Sequence, residues 1–558
     1  MGKKEQKPRL KPASFARGAS VMTLGTTTSR LTGFVRIAAL ASVLGMTAVA
    51  TREMADSFNL ANITPNIVYD LILGGVLASL FIPVFVEYLT TRDEEEAWHV
   101  ANSVFNISLL ILTVVSLALC LAAPYVIKAQ TFLSHGTRAT MEANATLLLR
   151  FFIFEVVFYA FCAIYSGLLN SYKHFTIPAF APIANNVVVI ATVIVYHYYP
   201  NIYILAIGGT LGVVAMATIQ LPWVRRTGFR YHFVFDTKHP GVRKLGRLAV
   251  PVLAYVLIHQ IGLWVVNILA TQVRGGVSAY QYAYIFFQLP YGIVAVSIIT
   301  ALFPTLSEKY VLKDKGELIE TTSLGIRTTA FVVIPASVGY AVLATPIVRL
   351  LLQHLNFGTQ DTEMLASVVL YFVIGLFFFS IFMLILKVFY SMQDTKTPMI
   401  VAGIIIAFNI AIDFALFYTF KSDVMKVSGL ALGNTAAHFV GAILVWEVLR
   451  RRLGSLDGSR IARSLAKICV ASAATGFVCY GVAKLIGSWL GVTDFWAQLL
   501  QVVLAILAGA GVYIGLTLLF KSEEMNALRR LMSRFFSRGQ SELEPHGVEP
   551  VEEDSIIE

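Results

Sequence analysis

Apolar stretches of about 20 residues recur along the whole chain, separated by short polar segments. A stretch of this length can cross the hydrocarbon core of a bilayer as an α-helix, which satisfies its own backbone hydrogen bonds. We count fourteen such stretches. The pattern therefore predicts an all-α polytopic membrane protein with fourteen transmembrane helices.

Composition supports this class. The chain has 558 residues, of which 57% are hydrophobic and only 14% are charged, whereas soluble domains are nearer a quarter charged. Its four cysteines all lie in apolar stretches without metal or redox spacing, so we interpret them as small hydrophobic residues. The basic N-terminus resembles the start of a signal peptide, but the stretch that follows is too long and too polar, which favours an uncleaved first helix.

The basic residues predict the topology. With the N-terminus inside, about 31 of the 43 Lys and Arg fall in cytoplasmic segments and about seven near external loops. This asymmetry follows the positive-inside rule and puts both termini in the cytoplasm. The formal net charge of +10 is then explained by the inner membrane surface, so we expect no nucleic-acid partner.

Two signatures recur at the same spacing. "SLFIPVFVEY" resembles "TALFPTLSEKY" about 221 residues later, and "LNSYKHFTIP" resembles "FYSMQDTKTP" about 220 residues later. The matching positions are Pro83 with Pro304, Glu87 with Glu308, Ser171 with Ser391, and Pro178 with Pro398. Six spans lie between equivalent points, so the halves keep the same orientation. Two parallel six-helix lobes with a site between them are typical of transporters.

This repeat predicts five parts of the chain. Residues 1–16 form a basic cytoplasmic tail, 17–235 an N-lobe with spans one to six, and 236–455 a C-lobe with spans seven to twelve. Residues 456–521 hold two further spans, and 522–558 a cytoplasmic tail. The acidic, Pro- and Gly-containing end of that tail is typical of disorder.

Two arginines in the first span are the first candidates for function. Each ionisable group inside a span costs about 2.5–3.5 kcal/mol on insertion scales. Arg30 and Arg36 are six residues apart, so on a straight helix they point about 120° apart with roughly 9 Å of rise. Gly25 and Gly33 could let the helix bend and bring them closer. Guanidinium groups bind phosphate oxygens, which favours an anion site over structural salt bridges to acids of span two.

The second span carries a polar stripe. Asn59, Asn62 and Asn66 recur at spacings of three and four, which puts them on one helical face between Asp56 and Asp70. A proline and a pair of glycines predict a bent or broken helix. The stripe favours the lining of a cavity over hydrogen bonds between helices, which contribute about 0.6 kcal/mol per pair.

Other polar groups leave alternatives open. Asn409 and Asp413 are one turn apart in span eleven and could share a cation such as Na⁺ or a proton, but a hydrogen bond from Asp413 to a neighbouring helix is about as plausible. Glu155 in span four fits either a proton relay or local pairing. The sequence lacks phosphate-loop, metallopeptidase and hydrolase motifs, so it favours a transporter over an enzyme and predicts no organic cofactor.

The chain resembles the MurJ/MviN family of lipid II flippases. "SRLTGFVR", "ADSFNLANITPNIVYDLILGGVLASLFIPVFVEY", "GLLNSYKHFTIPAFAPIANN" and "FYSMQDTKTP" match its signatures in order, from about Ala16 to Arg450. The string "PNIVYDLILGGVLAS" resembles actinobacterial members. The resemblance implies a MATE-like fold in the bacterial cytoplasmic membrane. It also implies alternating access that moves lipid II, the undecaprenyl-diphosphate-linked peptidoglycan precursor, from the inner to the outer leaflet.

The resemblance further implies a site. Arg30 and Arg36 match two arginines implicated in diphosphate binding, and Asp56 and Asn66 match functional polar positions. Spans thirteen and fourteen would form a groove for the lipid tail, and Asn409 with Asp413 resembles part of a sodium site. The expected substrate-binding residues are Ser29, Arg30, Arg36, Asp56, Asn59, Asn62 and Asn66.

Several positions depart from the family pattern. Ile37 follows the second arginine where many relatives have an acid, and Tyr69 stands near an expected arginine. Tyr284, Ile285 and Gln288 replace charged residues of span eight. The cavity thus keeps fewer charges than is typical, so Arg30 and Arg36 should carry more of the anion binding.

Alternatives to a lipid II flippase differ in what they require. A drug or cation antiporter would favour acids over paired arginines. A flippase for another polyprenyl-diphosphate-linked glycan is harder to separate. A scaffold of the cell-wall synthesis machinery would use the tail from Gly539 to Glu558 to bind partner proteins, although that tail is also explained as a solvated terminus. The expected partners are lipid II, membrane lipids and, through the tail, cell-wall synthesis proteins.

Overall fold

Helices account for the regular structure throughout the described part of the chain. The computed structural model describes residues 15–46, 49–70, 85, 87–88, 94–134, 139–172, 174–229, 231–454 and 456–525. A short π-helix, Tyr291–Ala295, joins the helices Gly276–Pro290 and Val296–Val311. We number the helices in chain order as α1 (Phe15–Leu44), α2 (Val49–Tyr69), α3 (Glu94–Thr131), α4 (Ala139–Phe152), α5 (Glu155–Ser171), α6 (Thr176–Tyr198), α7 (Ile202–Thr218), α8 (Leu221–Arg226), α9 (Pro240–Ala270), α10 (Gly276–Pro290), α11 (Val296–Val311), α12 (Lys315–Val342), α13 (Ala344–Leu352), α14 (Thr359–Ile374), α15 (Leu376–Ser391), α16 (Lys396–Thr419), α17 (Asp423–Leu453), α18 (Gly458–Leu490) and α19 (Phe495–Leu519).

Many of these helices are long and apolar enough to cross a membrane. Within the described ranges ten pass this test, or eleven if the bent pair α14 and α15, which meet at 43°, counts as one span. The predicted all-helical, multi-pass class is therefore confirmed. The count of fourteen stays a prediction, and the middle of its second span, residues 71–84, lies outside the described residues.

Helix boundaries repeat along the chain. Five helices, α3 to α7, begin 220 or 221 residues before α12, α14, α15, α16 and α17, respectively. The fourth span of each half is broken at the same place, between α4 and α5 and between α14 and α15. These offsets match the sequence repeat, although Pro83 of its first signature lies outside the described residues.

The buried apolar residues form two main clusters. One is built from residues between Leu40 and Leu245. The other runs mainly from Val266 to Ile461, but it also includes Ile37 and Ala41 of α1 and Met46 just after it. Helix α1 therefore contributes to both clusters, which places it at the seam between the two halves of the chain.

The signature "YSMQDTKTP" forms a helix start. The Asp394 carboxylate accepts hydrogen bonds from the backbone N–H groups of Lys396 and Thr397, each at 3.0 Å. An aspartate here pairs the free N–H groups at the beginning of α16. Arg452 at the end of α17 forms an ion pair with the same carboxylate. The signature thus joins two helices at one end of the bundle.

Helices α18 and α19 are fixed to α12 by buried polar contacts. The Arg327 guanidinium donates to Glu524 Oε1 at 3.1 Å, and Ser464 Oγ donates to the same oxygen at 2.8 Å. The Tyr513 hydroxyl donates to the Phe331 carbonyl at 2.6 Å. Because Arg327 and Glu524 are both buried, separating them would leave a charge unpaired, at a cost of about 3–5 kcal/mol.

An extended segment, residues 231–236, connects the halves and lies along the start of α3; we call it the strap. Asn106 Nδ2 donates to the carbonyls of His232 and Val234, each at 3.0 Å. The Tyr231 hydroxyl donates to Asn106 Oδ1 at 2.9 Å. One turn earlier, Asn102 Oδ1 accepts from the His232 backbone N–H at 3.1 Å. The side chains of two asparagines thus pair with the backbone groups of the strap, as a neighbouring strand would in a sheet.

The end of the strap is held by a polar pair. A ring nitrogen of His99 lies 3.3 Å from Asp236 Oδ2, and this hydrogen bond is the main reason that the pKa of the Asp236 carboxyl is lowered. Asp236 Oδ1 accepts from the backbone N–H groups of Lys238 and His239, each at 3.0 Å. The strap therefore delivers the chain to α9 in a defined direction.

We expect Asn106→Ala to release the strap without unfolding the bundle. It removes three partly buried hydrogen bonds, which lowers the local opening free energy by about 1–3 kcal/mol. Amide hydrogen exchange across residues 231–236 should rise roughly 5- to 150-fold. The control is Thr218→Val, whose hydroxyl bonds within its own helix. Unchanged exchange in the Asn106 variant would contradict this account of the strap.

Candidate functional site

A cavity of about 130 Å³ lies at the seam between the two halves. It can hold several water molecules. Helices α1, α2, α5, α6, α7 and α10 surround it. Its polar lining residues are Arg36, Asn59, Asn62, Asn66, Glu155, Tyr159, Asn185, Gln281 and Tyr282. The sequence prediction that the stripe of span two lines a cavity agrees with this lining.

Arg36 faces this cavity. Among the described residues, its buried Nε finds no hydrogen-bond acceptor. The guanidinium interacts electrostatically with Tyr159 and Glu155 of α5, and the Tyr159 hydroxyl lies 3.5 Å from Glu155 Oε2. Of the two roles left open for Glu155, the geometry favours local pairing. A buried guanidinium with unused donor capacity is suited to an anionic ligand.

Arg30 points elsewhere. It is not among the residues that line the cavity, and its guanidinium contacts Gly292 of the π-helix. Helix α1 is continuous through Gly25 and Gly33, and both glycines lie where it packs on α6. That they allow α1 to bend stays a prediction.

Asp56 bonds to the other half of the chain. Its Oδ2 accepts from the Gly275 N–H at 2.8 Å, and its Oδ1 accepts from the N–H and hydroxyl of Ser278 at 3.1 and 2.7 Å. Asn59 Nδ2 also donates to Ser278 Oγ, at 3.0 Å. We call this group the Asp56 clasp. In this conformation Asp56 therefore joins α2 to the start of α10. It is not among the residues that line the cavity, where a substrate-binding role would place it.

A second contact joins the halves at the same end. The Asn356 N–H and side-chain amide donate to the carbonyls of Ser42 and Val43, at 2.9 and 2.7 Å. The backbone of Asn356 also approaches Gly45, where φ is +61° and a Cβ would overlap it. Glycine is required here for both reasons. The end of α1 is thus fixed to the loop before α14.

At the opposite end, the polar contacts between the halves that the described residues make are more exposed. There Lys244 Nζ lies 2.6 Å from Glu87 Oε2, with both side chains 48% exposed. Such exposed pairs contribute about 0–1 kcal/mol, whereas Asp56 is only 3% exposed and hydrogen bonds to a charged group contribute about 1.5–3 kcal/mol each. The exposed ion pair described at this end therefore holds the halves together less strongly than the Asp56 clasp does at the other.

The remaining predicted residues lie in different places. Ser29 does not line the cavity, and its carbonyl accepts from Asn186 Nδ2 at 3.2 Å on the side that faces α6. Asn62 lines the cavity and also donates to the Phe58 carbonyl at 3.0 Å. Asp70 accepts from Gln260 Nε2 at 2.8 Å. Of the acids considered for salt bridges with the arginines, Asp56 and Asp70 thus both bond to residues of the second half.

Asn409 and Asp413 lie together in α16. Asn409 Nδ2 donates to Asp413 Oδ2 at 2.9 Å. Asp413 is buried, and its Oδ1 has no hydrogen-bond partner among the described residues and faces Gly433 of α17. Three or more His, Cys, Asp or Glu side chains are nowhere grouped as metal ligands in the described ranges. Any cation here would rely on one carboxylate and neutral oxygens.

The positions that depart from the family pattern are filled by neutral contacts. Gln288 Nε2 donates to the Tyr284 hydroxyl at 2.8 Å, and Ile285 lines the cavity. The Tyr69 ring lies 4.4 Å from the Tyr159 ring, between centroids. Arg36 is therefore the cationic side chain among the residues that line the cavity.

Comparison with known proteins identifies relatives over most of the chain. The family model described as "Lipid II flippase MurJ" matches residues 40–500. A protein of Rhizobium meliloti (strain 1021) named "Probable lipid II flippase MurJ" is 30% identical over 437 residues, 76% of this chain and 78% of its own. A protein of Vibrio cholerae with the same name is 29% identical over 443 residues, 77% of this chain and 81% of its own.

Solved structures share the fold. One titled "Lipid II flippase MurJ, inward closed conformation" covers 90% of this chain and 98% of its own, with a TM-score of 0.74 and 23% identity. An inward-facing multidrug resistance MATE family transporter covers 78% of this chain and 99% of its own, with a TM-score of 0.64 and 16% identity. The helical arrangement is therefore similar to that of both kinds of protein.

We expect Asp56→Asn to favour separation at the clasped end. An amide offers one acceptor oxygen where Asp56 uses two, so an N–H of α10 loses its partner at about 1–3 kcal/mol. The population open at this end should rise roughly 5- to 150-fold. Spin labels at Tyr199→Cys and Lys421→Cys, with the native cysteines replaced by alanine, would report longer distances in pulsed electron paramagnetic resonance.

Both label positions are exposed. Lys421 lies near the clasped end because Tyr418, one turn earlier, contacts Gln272, which precedes the clasp residue Gly275. Helix α6 runs parallel to α1, since Gly25 contacts Ala179 and Gly33 contacts Asn186. The matched control is Asp314→Asn, which removes a carboxylate cap from the start of α12. The same distance distribution in both variants would refute the role of the clasp.

Proposed function

This chain belongs to the MurJ family of lipid II flippases, and on that premise we propose that it moves lipid II across the cytoplasmic membrane through the seam between its halves. It is a transporter, not an enzyme. The substrate is undecaprenyl-diphosphate-linked peptidoglycan precursor, which passes from the inner to the outer leaflet by alternating access.

The observation that carries the site assignment is the environment of Arg36. Its Nε lacks an acceptor among the described residues, in a cavity that the polar face of α2 also lines. A diphosphate would supply oxygens to the guanidinium fork. Asn59, Asn62 and Asn66 would then face the headgroup with neutral donors and acceptors. Arg30 would meet the anion from the neighbouring face of α1.

Passage requires the halves to separate. A cavity of about 130 Å³ holds a few water molecules, far less than a disaccharide-peptide headgroup. The buried Asp56 clasp supports a state closed at that end, and the exposed Lys244–Glu87 pair supports easier opening at the other. The headgroup would enter at the end with the Lys244–Glu87 pair. Breaking the Asp56 clasp would later release the headgroup on the opposite side.

We extend the proposal to the whole chain. Fourteen spans with both termini in the cytoplasm would place the end with the Lys244–Glu87 pair on the cytoplasmic side of the membrane. The Asp56 clasp would then lie on the outer side. The repeated helix boundaries support an N-lobe (17–235) and a C-lobe (236–455). Helices α18 and α19 (within 456–521) would form a groove for the lipid tail. An inside-negative potential would favour outward movement of the anion, by about 2.3 kcal/mol per charge per 100 mV.

Coupling to a cation would use Asn409 and Asp413. The support is a buried carboxylate oxygen that no hydrogen bond satisfies among the described residues. Na⁺ and H⁺ are both suited to a single carboxylate with amide oxygens nearby. Binding there would change the charge between α16 and α17, which pack on each other in the second half.

We expect Arg36→Ala to lower transport of lipid II at least 30-fold, since losing one partner of a buried charged pair costs about 2–5 kcal/mol. Arg36→Lys should retain partial transport because it keeps the charge but loses the planar fork. The measurement is outer-leaflet lipid II in cells depleted of the native protein. Arg451→Ala, which removes an exposed arginine paired with Glu447, is the control. Normal transport by Arg36→Ala would overturn the site.

We expect Asp413→Asn to lower the transport rate at least tenfold and to abolish its dependence on the coupling cation. The amide cannot take up a proton or balance Na⁺. Rates in vesicles at fixed membrane potential would be compared with and without Na⁺, and at two pH values. Asp423→Asn, at an exposed acid that begins α17, is the matched control. A variant that keeps the dependence of the parent protein would exclude this site.

A further inference from the structure

The Arg30 guanidinium occupies a recess in the other half of the chain. A Cβ built on Gly292 would coincide with Arg30 Nη1, and the next nearest atoms are also those of the guanidinium, with Nη2 at 3.1 Å. Gly292 is the second residue of the π-helix. We call the space over Gly292 the Arg30 recess.

The recess is a product of the local backbone. Pro290 ends α10 and has no N–H to donate to the carbonyl of Phe286. The Tyr340 hydroxyl donates to that carbonyl instead, at 3.5 Å. The helix then widens into a π-turn, closed by the Val296 N–H on the Tyr291 carbonyl. π-Bulges of this kind occur frequently at functional sites.

Helix α1 meets this region with a definite face. Phe34, one turn after Arg30, packs edge-to-face on Phe286 with centroids 5.0 Å apart. The phenol of Tyr291 interacts electrostatically with Arg30. Arg36, in contrast, faces the cavity and α5. One arginine of α1 therefore extends into the second half while the other stays beside the first.

Ordinary helix packing does not account for this glycine. A packing glycine brings two backbones or apolar side chains together, as Gly441 does against Ile405. The three atoms nearest to Gly292 all belong to the end of the Arg30 side chain. A substitution at Gly292 should therefore displace that side chain and leave the helix backbones in place.

We propose that Gly292 is a positioning residue for Arg30: the missing side chain leaves a recess that sets where the guanidinium is presented at the seam. This inference rests on the proposed function, in which Arg30 binds the diphosphate. A Cβ needs roughly 3.5 Å of clearance, so alanine at this position displaces Arg30 Nη1, the atom it would overlap, by roughly 2.5 Å. A misplacement of that size lowers rates by up to about 100-fold.

The test is Gly292→Ala in two backgrounds, with outer-leaflet lipid II as the readout. In the parent chain it should lower transport 10- to 100-fold while protein level and thermal stability in detergent stay unchanged. In the Arg30→Lys background it should lower transport less than twofold further, because the slender ammonium chain does not require the recess. Equal losses in the two backgrounds would overturn the proposal.

The matched control is Gly403→Ala, at a glycine of α16 that has no neighbouring atom within 4 Å of a built Cβ. It should transport normally. Arg30→Ala distinguishes a failure of the anion site from a failure of the recess. If Arg30→Ala transports normally, the proposed anion site is wrong at this residue. If Arg30→Ala is inactive and Gly292→Ala transports normally, the site stands and the recess has no role.

Discussion

Burying a guanidinium in a membrane protein costs free energy unless other groups replace the water that solvates it. Helix α1 carries two guanidinium groups. The structure stabilises these two groups in different ways. Arg36 lies in a small polar cavity opposite Glu155 and Tyr159, where charge attraction offsets part of the desolvation. Arg30 reaches across the seam and lies on the backbone of a π-turn. Arg30 needs the second half for its contact, and the cavity that Arg36 faces is lined from both halves, so both arginines lie where the halves meet.

The same seam is unevenly closed. At one end a buried carboxylate accepts three hydrogen bonds from the start of α10. At the other, the lysine–glutamate pair is half exposed and screened by water. Burial strengthens electrostatic contacts and exposure weakens them. Among the described contacts the clasped end is thus the more strongly held, and the proposed alternating access uses this asymmetry.

Two connections lie outside the seam. The strap runs along α3, and its described hydrogen bonds with Asn102 and Asn106 attach residues 231–234 to the first half. Helices α18 and α19 are fixed to α12 by the buried Arg327–Glu524 pair. They would therefore move with the second half when the seam opens.

Sequence reasoning anticipated much of the site because helical periodicity is local. The spacing of Asn59, Asn62 and Asn66 predicted one polar face, and that face lines the cavity. The angle between the two arginines also followed from helix geometry alone. The role of Asp56 did not, because its partners Gly275 and Ser278 are more than 200 residues away. Nor did the contacts of Gly25 and Gly33 with α6, because the residues that they meet are about 150 residues away.

The sequence by itself determined the membrane class, the helical elements, the family and the 220-residue spacing of the repeat. These depend on composition and periodicity, which a single chain carries along its length. Only the tertiary structure decided that Arg36 faces Glu155, that Asp56 bonds to α10, and that Gly292 accommodates Arg30. Each of these is a contact between distant segments, and its partner is chosen by how whole helices pack rather than by any local pattern.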